Sequence, residues 1–317
     1  MMKTKERKIK EEMKNALLRG ALKPLLDAVK ADDTLEMELR GESVNIYYRG
    51  GSVFKITENK NKKDKIRKPF ILECSETYCT AGGMQLDPKP DVTEAVAKLP
   101  MYKQGIDWTF SKKHSYEREF QQVIARENNN HGNLSRGTDY YIADIEYVDS
   151  VQDVNAEKGK RNFRFDMVAL KWLSTGAARK DSTKVSPALI EVKYGDGALK
   201  GDAGIPKHLE DFSAFLGDKD KLESFCEDMK AVFKQKCELG LVDGLTEKQW
   251  KEIQISTEHP EVIFIFANHD PDSKILSQIA GSIQTANYSF PIYVAEASHM
   301  GYCLYAKNLR TIDSFAE

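Results

Sequence analysis

Four residues in the second half of the chain have the types and spacing for divalent-metal chemistry: Asp166 and the triplet Glu191-Val192-Lys193. Side chains alternate across a strand, so Glu191 and Lys193 share one face while Ile190, Val192 and Tyr194 share the other. A carboxylate and an ammonium two positions apart in an otherwise apolar strand require a reason. The run before it, FRFDMVAL, puts Asp166 on a face with Arg164 and Val168. If the two runs form a hairpin, Asp166 sits beside Glu191. Adjacent carboxylates repel, and a divalent cation relieves that repulsion. An all-oxygen ligand set selects Mg²⁺ or Mn²⁺ over zinc. Lys193 beside such an ion could hold or polarise a water for attack on phosphorus, or stabilise charge on phosphoryl oxygens. The competing reading of Glu191 and Lys193 is a salt bridge on a solvated strand face. The aspartate on the preceding strand and the apolar character of both runs weigh against it.

The elements that must position these residues follow from periodicity. Tyr116, Phe120, Val123 and Ile124 mark a helix with one apolar arc. Tyr140–Tyr147, Asn162–Trp172 and Pro187–Tyr194 read as successive strands, with a polar turn at Ser174–Lys184. A helical stretch runs from Pro206 to Leu239, broken near Gly217. Val262–Ala267 reads as a buried strand, Ile275–Ile283 as a helix, and Ile292–Ala295 and Tyr302–Ala306 as short strands. Upstream, a helix is expected from Lys5 to Val29, kinked or restarted at Pro24. Alternation at Leu35–Leu39, Val44–Tyr48, Val53–Ile56 and Pro69–Cys74 predicts an antiparallel β-meander with a hairpin turn at Arg49-Gly50-Gly51. Residues 75–110 read as a connection holding one short helix, Asp91–Leu99, ended by Pro100. The fold class is therefore α/β (α+β), a central mixed β-sheet flanked by helices, with an N-terminal helix and meander added. Residues 1–110 form the N-terminal region, suited to binding a substrate or partner, and residues 111–317 the domain that carries the motif.

Asp166 and Glu191-Val192-Lys193, set in the order helix, three strands, helix, strand, resemble the PD-(D/E)XK nuclease superfamily, the restriction-endonuclease-like fold. The resemblance covers roughly residues 111–295, with Phe165 in place of the motif's proline. It implies a metal-dependent nuclease that hydrolyses phosphodiester bonds in DNA. Asp166, Glu191 and the main-chain carbonyl of Val192 would hold Mg²⁺ or Mn²⁺, and Lys193 would act on water. Members of the family often add a glutamate from the first helix, which favours Glu119 over Glu117 as a further ligand. They also place a polar residue on the later helix, where His208 flanks the stripe of Ile205, Leu209, Phe212 and Leu216. The alternative on the same fold is a catalytically silent module that binds nucleic acid or protein.

Other signals are weaker. The glycine-rich YGDGALKGDAG run lacks the G-x-x-x-x-G-K-[ST] pattern of a phosphate-binding loop. It reads as a flexible connection or as a mobile loop offering Lys200 to a phosphate. Lys62 and Lys63, within NKNKKDKIRK, are candidate phosphate-backbone contacts, although such runs are usually solvated loops. His269-Asp270 is a polar pair after a strand with no partner evident in sequence. No nucleophile motif supports a Ser-His-Asp or Cys-His arrangement. The 317 residues carry a net charge of −2, so contact with DNA must come from a local patch. Five cysteines, with no CxxC pair, read as reduced thiols of a cytoplasmic protein. No run approaches the ~20 apolar residues of a membrane span. The expected partner is DNA rather than a membrane, and a homodimer is compatible with the sequence.

Overall fold

The computed structural model describes residues 6–61, 68–130, 137–152, 160–201, 203–270, 272–297 and 301–316. It is a mixed α/β protein with one antiparallel and one mixed sheet. The chain divides into two compact units, Met1–Arg126 with Ala231–Asp243, and Glu127–Lys230 with Gly244–Glu317. Two of the three divisions fall inside helices, and the third, Asp243/Gly244, in a loop.

In the first unit, the expected helix begins later, as α1 (Glu11–Arg19), and is restarted as α2 (Lys23–Ala31), with Pro24 in the first turn where its missing N–H costs nothing. Strands β1 (Leu35–Leu39), β2 (Ser43–Tyr48), β3 (Gly51–Glu58) and β4 (Phe70–Glu73) form an antiparallel meander in chain order. Arg49 and Gly50 close the β2–β3 hairpin with φ of 50° and 76°, the left-handed pair that matches strand twist. At Gly50 any side chain would strike the Arg118 backbone, 2.6 Å from where a Cβ would stand. Three helices follow: α3 (Glu76–Thr80), α4 (Val92–Ala97) and α5 (Leu99–Lys112). Pro100, expected to end a helix, instead sits in the first turn of the long α5, again where proline is tolerated. Helix α6 (Tyr116–Asn129) crosses the first division between the units.

The second unit is organised on a six-stranded sheet. Strands β5 (Tyr140–Gln152), β6 (Lys160–Lys171) and β7 (Ser186–Tyr194) pair antiparallel in sequence. Helices α7 (Ile205–Leu216), α8 (Lys219–Leu239) and α9 (Glu247–Lys251) then lead to β8 (Glu261–Ala267), which runs parallel to β7. Helix α10 (Lys274–Ser282) leads to β9 (Ile292–Glu296), parallel to β8, and β10 (Arg310–Thr311) closes the edge antiparallel to β9. Every residue of β8 is buried, as its unbroken apolar run requires for a strand covered on both faces.

Tyr302–Ala306, expected as a strand, is irregular. Its backbone groups are taken instead by side chains: Asn128 accepts from the Leu304 N–H at 2.8 Å and Asp139 from that of Ala306 at 2.8 Å. Once such groups supply the partners, the segment needs no ladder.

An aromatic layer fixes α7 against the sheet. Phe165 of β6 lies 5.1 Å from Phe212 and 5.0 Å from Phe215, while Phe225 of α8 packs on Phe215 at 5.2 Å. All four rings are buried, each contributing about 1.5–3 kcal/mol of burial. Phe212 also meets Phe264 of β8. This anchoring determines where His208, one turn before Phe212, must project.

Candidate functional site

The regular β6–β7 ladder ends at the pair Met167–Ile190. Just beyond it, the Asp166 carboxylate replaces the missing strand partner: its Oδ2 accepts the Val192 N–H at 2.8 Å. Asp166 is thereby fixed on the backbone of the triplet, between the positions of Glu191 and Lys193. Because a strand residue turns its N–H and C=O to the same neighbour, the Val192 carbonyl points to the Asp166 side as well.

Glu191 and Lys193 project together toward α7. The Lys193 Nζ donates to Glu191 Oε1 at 2.7 Å. His208 Nε2 stands 3.0 Å from that Nζ and 2.9 Å from the same Oε1. Three charged or titratable groups thus form a closed triangle. One atom constrains its geometry, since an imidazole nitrogen either accepts a hydrogen bond from the Lys193 ammonium or donates one to the Glu191 carboxylate, and cannot do both at once.

The carboxylate and ammonium are buried, with side chains 4% exposed, whereas His208 is 18% exposed and gives the group its access to solvent. Glu191 Oε2 is buried and has no hydrogen-bond partner among the described residues. An unsatisfied carboxylate oxygen costs on the order of 1–3 kcal/mol or more, a cost that a further donor or a cation at that atom would relieve. A cation beside Asp166 and Glu191 fits that requirement. Among the described residues, no group of three or more His, Cys, Asp or Glu side chains is arranged to hold a metal ion.

The remaining sequence candidates are distributed differently. Glu119 belongs to the first unit, where its two oxygens take the guanidinium of Arg49 at 2.7 and 3.3 Å, with Asp107 on the same guanidinium at 2.8 Å. These partners hold Arg49 firmly protonated, its pKa raised by the hydrogen bonds to Glu119 and then Asp107. The structure thus engages Glu119 as an ion-pair partner. Lys200 is exposed at the end of the short 3₁₀ turn Asp196–Leu199. Lys62 and Lys63 lie outside the described residues.

The sequence singled out His269-Asp270 without a partner, and the structure supplies one. His269, two residues past β8, has Nδ1 on Asp196 Oδ1 at 2.5 Å, and its Nε2 faces Glu296 Oε1 at 4.0 Å. These residues lie at the C-terminal ends of β7, β8 and β9. Their convergence depends on the parallel pairing of those strands, which the sequence does not reveal.

In comparisons with known proteins, no family model, no curated protein and no solved structure matches the chain. No helix among the described residues is long and apolar enough to cross a membrane. The functional reading therefore rests on the site itself.

Proposed function

We propose that this protein is a Mg²⁺- or Mn²⁺-dependent nuclease that hydrolyses phosphodiester bonds in DNA. The observation that carries the proposal is the Asp166 carboxylate locked on Val192 beside the buried Glu191–Lys193 pair, with Glu191 Oε2 left without a partner among the described residues. Asp166, Glu191 and the Val192 carbonyl are the residues that would hold the cation, and the cation would supply Lewis-acid stabilisation of the phosphoryl oxygens. Lys193 orients the attacking water and stabilises charge developing at phosphorus. His208, in contact with both Glu191 and Lys193, holds that pair in position. The order of elements adds support, because α6, the β5–β6–β7 meander, the α7 region and parallel β8 follow the sequence expected of a restriction-endonuclease-like core.

A second reading, a catalytically silent binding module, is favoured by one feature. Lys193 and Glu191 already neutralise each other. The two readings part in a direct assay. With Mg²⁺ or Mn²⁺ added, the purified protein should cleave DNA, and Lys193→Ala should abolish cleavage. Titration calorimetry with Mn²⁺ should show a site that Asp166→Asn removes. Unchanged cleavage by Lys193→Ala would overturn the role given to that residue, and absence of both cleavage and Mn²⁺ binding would leave the binding module as the correct reading.

A further inference from the structure

The Asp196–His269 pair is not used by the site as described above, yet it opens on the same sheet face. Register across the parallel strands pairs Lys193 with Phe266, and Phe266 with Glu296. Partners in such a ladder share a face, so Lys193, Phe266 and Glu296 stand side by side on the side where His208 meets Lys193. Two strand spacings, about 10 Å, separate the first from the third.

The chain brings His269 back over this row. Asn268 adopts φ of 55°, a left-handed conformation that asparagine tolerates better than most residues, and the imidazole settles 5.7 Å from the Phe266 ring. From the other side, Gly195 takes φ of 70° and donates its N–H to the Ala267 carbonyl at 2.8 Å. That link ties the end of β7 to the end of β8 and delivers Asp196 to His269. Asp196 also accepts the Asp270 N–H at 3.3 Å. The imidazole is 7% exposed. Its Nδ1 is committed to a carboxylate, which fixes the ring and its tautomer and leaves Nε2 directed along the row toward Glu296. A carboxylate-held imidazole whose second nitrogen makes no hydrogen bond within 3.5 Å among the described residues has the arrangement of a proton-transfer group.

We propose that His269, oriented by Asp196, is the proton donor to the leaving oxygen, and that the scissile strand lies across the ends of β7, β8 and β9 over Phe266. This inference rests on the nuclease reading. As the water oxygen forms its bond to phosphorus, the bridging P–O bond breaks and the departing oxygen takes the Nε2 proton of the imidazolium. The proton shed by the attacking water passes to solvent, and solvent reprotonates His269. Glu296 Oε1 stands 4.0 Å from that Nε2, on the side from which the departing oxygen would approach.

The test compares two kinds of leaving group. One is an ordinary oligonucleotide. The other carries sulfur at a bridging position, 3′ in one set and 5′ in a second, so that a thiolate departs without needing a proton. His269→Gln should lower the single-turnover rate on the ordinary substrate by about 10²–10³-fold, and on the substrate whose bridging sulfur departs by less than about threefold. Asp196→Asn, which preserves side-chain volume, should shift the same ratio in the same direction by about tenfold, and decides the matter if His269→Gln does not fold. Equal losses on both substrates in a folded variant would overturn the proposal. If the wild-type protein cleaves neither substrate, the nuclease reading itself fails and this inference fails with it.

Discussion

Each unit of this protein buries a lysine against a strand carboxylate, and the two pairs are built for different ends. In the first unit, Lys236 donates to Glu38 of β1 at 2.8 Å, and both side chains are completely enclosed. In the second, Lys193 donates to Glu191 of β7 at 2.7 Å, with His208 touching both and reaching solvent. Among the described residues, each pair leaves one buried carboxylate oxygen without a hydrogen bond, Glu38 Oε2 and Glu191 Oε2. The enclosed pair is joined by Glu36, one residue along the same face of β1. Burial pushes the Glu36 carboxyl up to about 8; Glu38 adds to the shift while Lys236 and Arg126 oppose it. A buried ion pair alone therefore says little about function. What separates the two is a third titratable group with access to solvent, and an aspartate locked beside the pair.

The largest effects should break this comparison most clearly. Lys236→Ala strands the Glu38 charge in an enclosed site and should cost about 3–5 kcal/mol, read as an earlier denaturant midpoint. Replacing the pair together, Glu38→Leu with Lys236→Met, should recover most of that loss, since a well-packed apolar pair of similar volume is often neutral. Lys193→Ala, which should abolish cleavage, ought to lose less stability than Lys236→Ala because His208 can then donate to Glu191. If the two single variants unfold at the same denaturant concentration, the distinction between a structural and a functional pair collapses.

A smaller effect should appear on changing pH. The native Glu36 pKa of about 8 lies above the usual 4.5, so the folded state holds a proton that the unfolded chain gives up. The associated stability is complete below about pH 4.5 and is lost as pH rises through 8. Between pH 6 and 8 the loss should be about 2 kcal/mol, and Glu36→Gln should flatten it. A pH-stability curve of unchanged slope in Glu36→Gln would remove Glu36 from the account. The smallest effect concerns His208. His208→Gln keeps a hydrogen-bonding side chain at the position but cannot reproduce the imidazole's contact with both partners, and should lower cleavage about tenfold in a single-turnover assay. An unchanged rate would make His208 a packing residue only.

The sequence made much of the second unit legible. The apolar run of Val262–Ala267 reads as a fully buried strand and is one. The apolar stripe beginning at Ile205 reads as a helix that buries one face, and Ile205, Leu209, Phe212 and Leu216 are all buried. Its break near Gly217 separates α7 from α8. Pro100 was less readable, because a proline is compatible with the end of one helix and with the first turn of the next, and only tertiary packing chooses. Glu119 shows a different limit. A carboxylate on a helix margin is equally suited to a metal or to a guanidinium, and the partner that the fold supplies is Arg49.

What the sequence determined by itself, then, are the local facts: period-2 and period-3.6 patterns, the turn at Arg49-Gly50, and an E-x-K triplet whose acid and base must share a face. Those follow from backbone geometry within a few residues. The tertiary structure decided which side chains meet. Asp166 reaches Val192 because the β6–β7 ladder ends where it does; His208 reaches Glu191 because the aromatic layer seats α7; Asp196 reaches His269 because β7 and β8 run parallel. Each contact joins residues 17 to 73 positions apart. No local preference encodes such distances, since they are set by the burial of apolar surface over the whole unit.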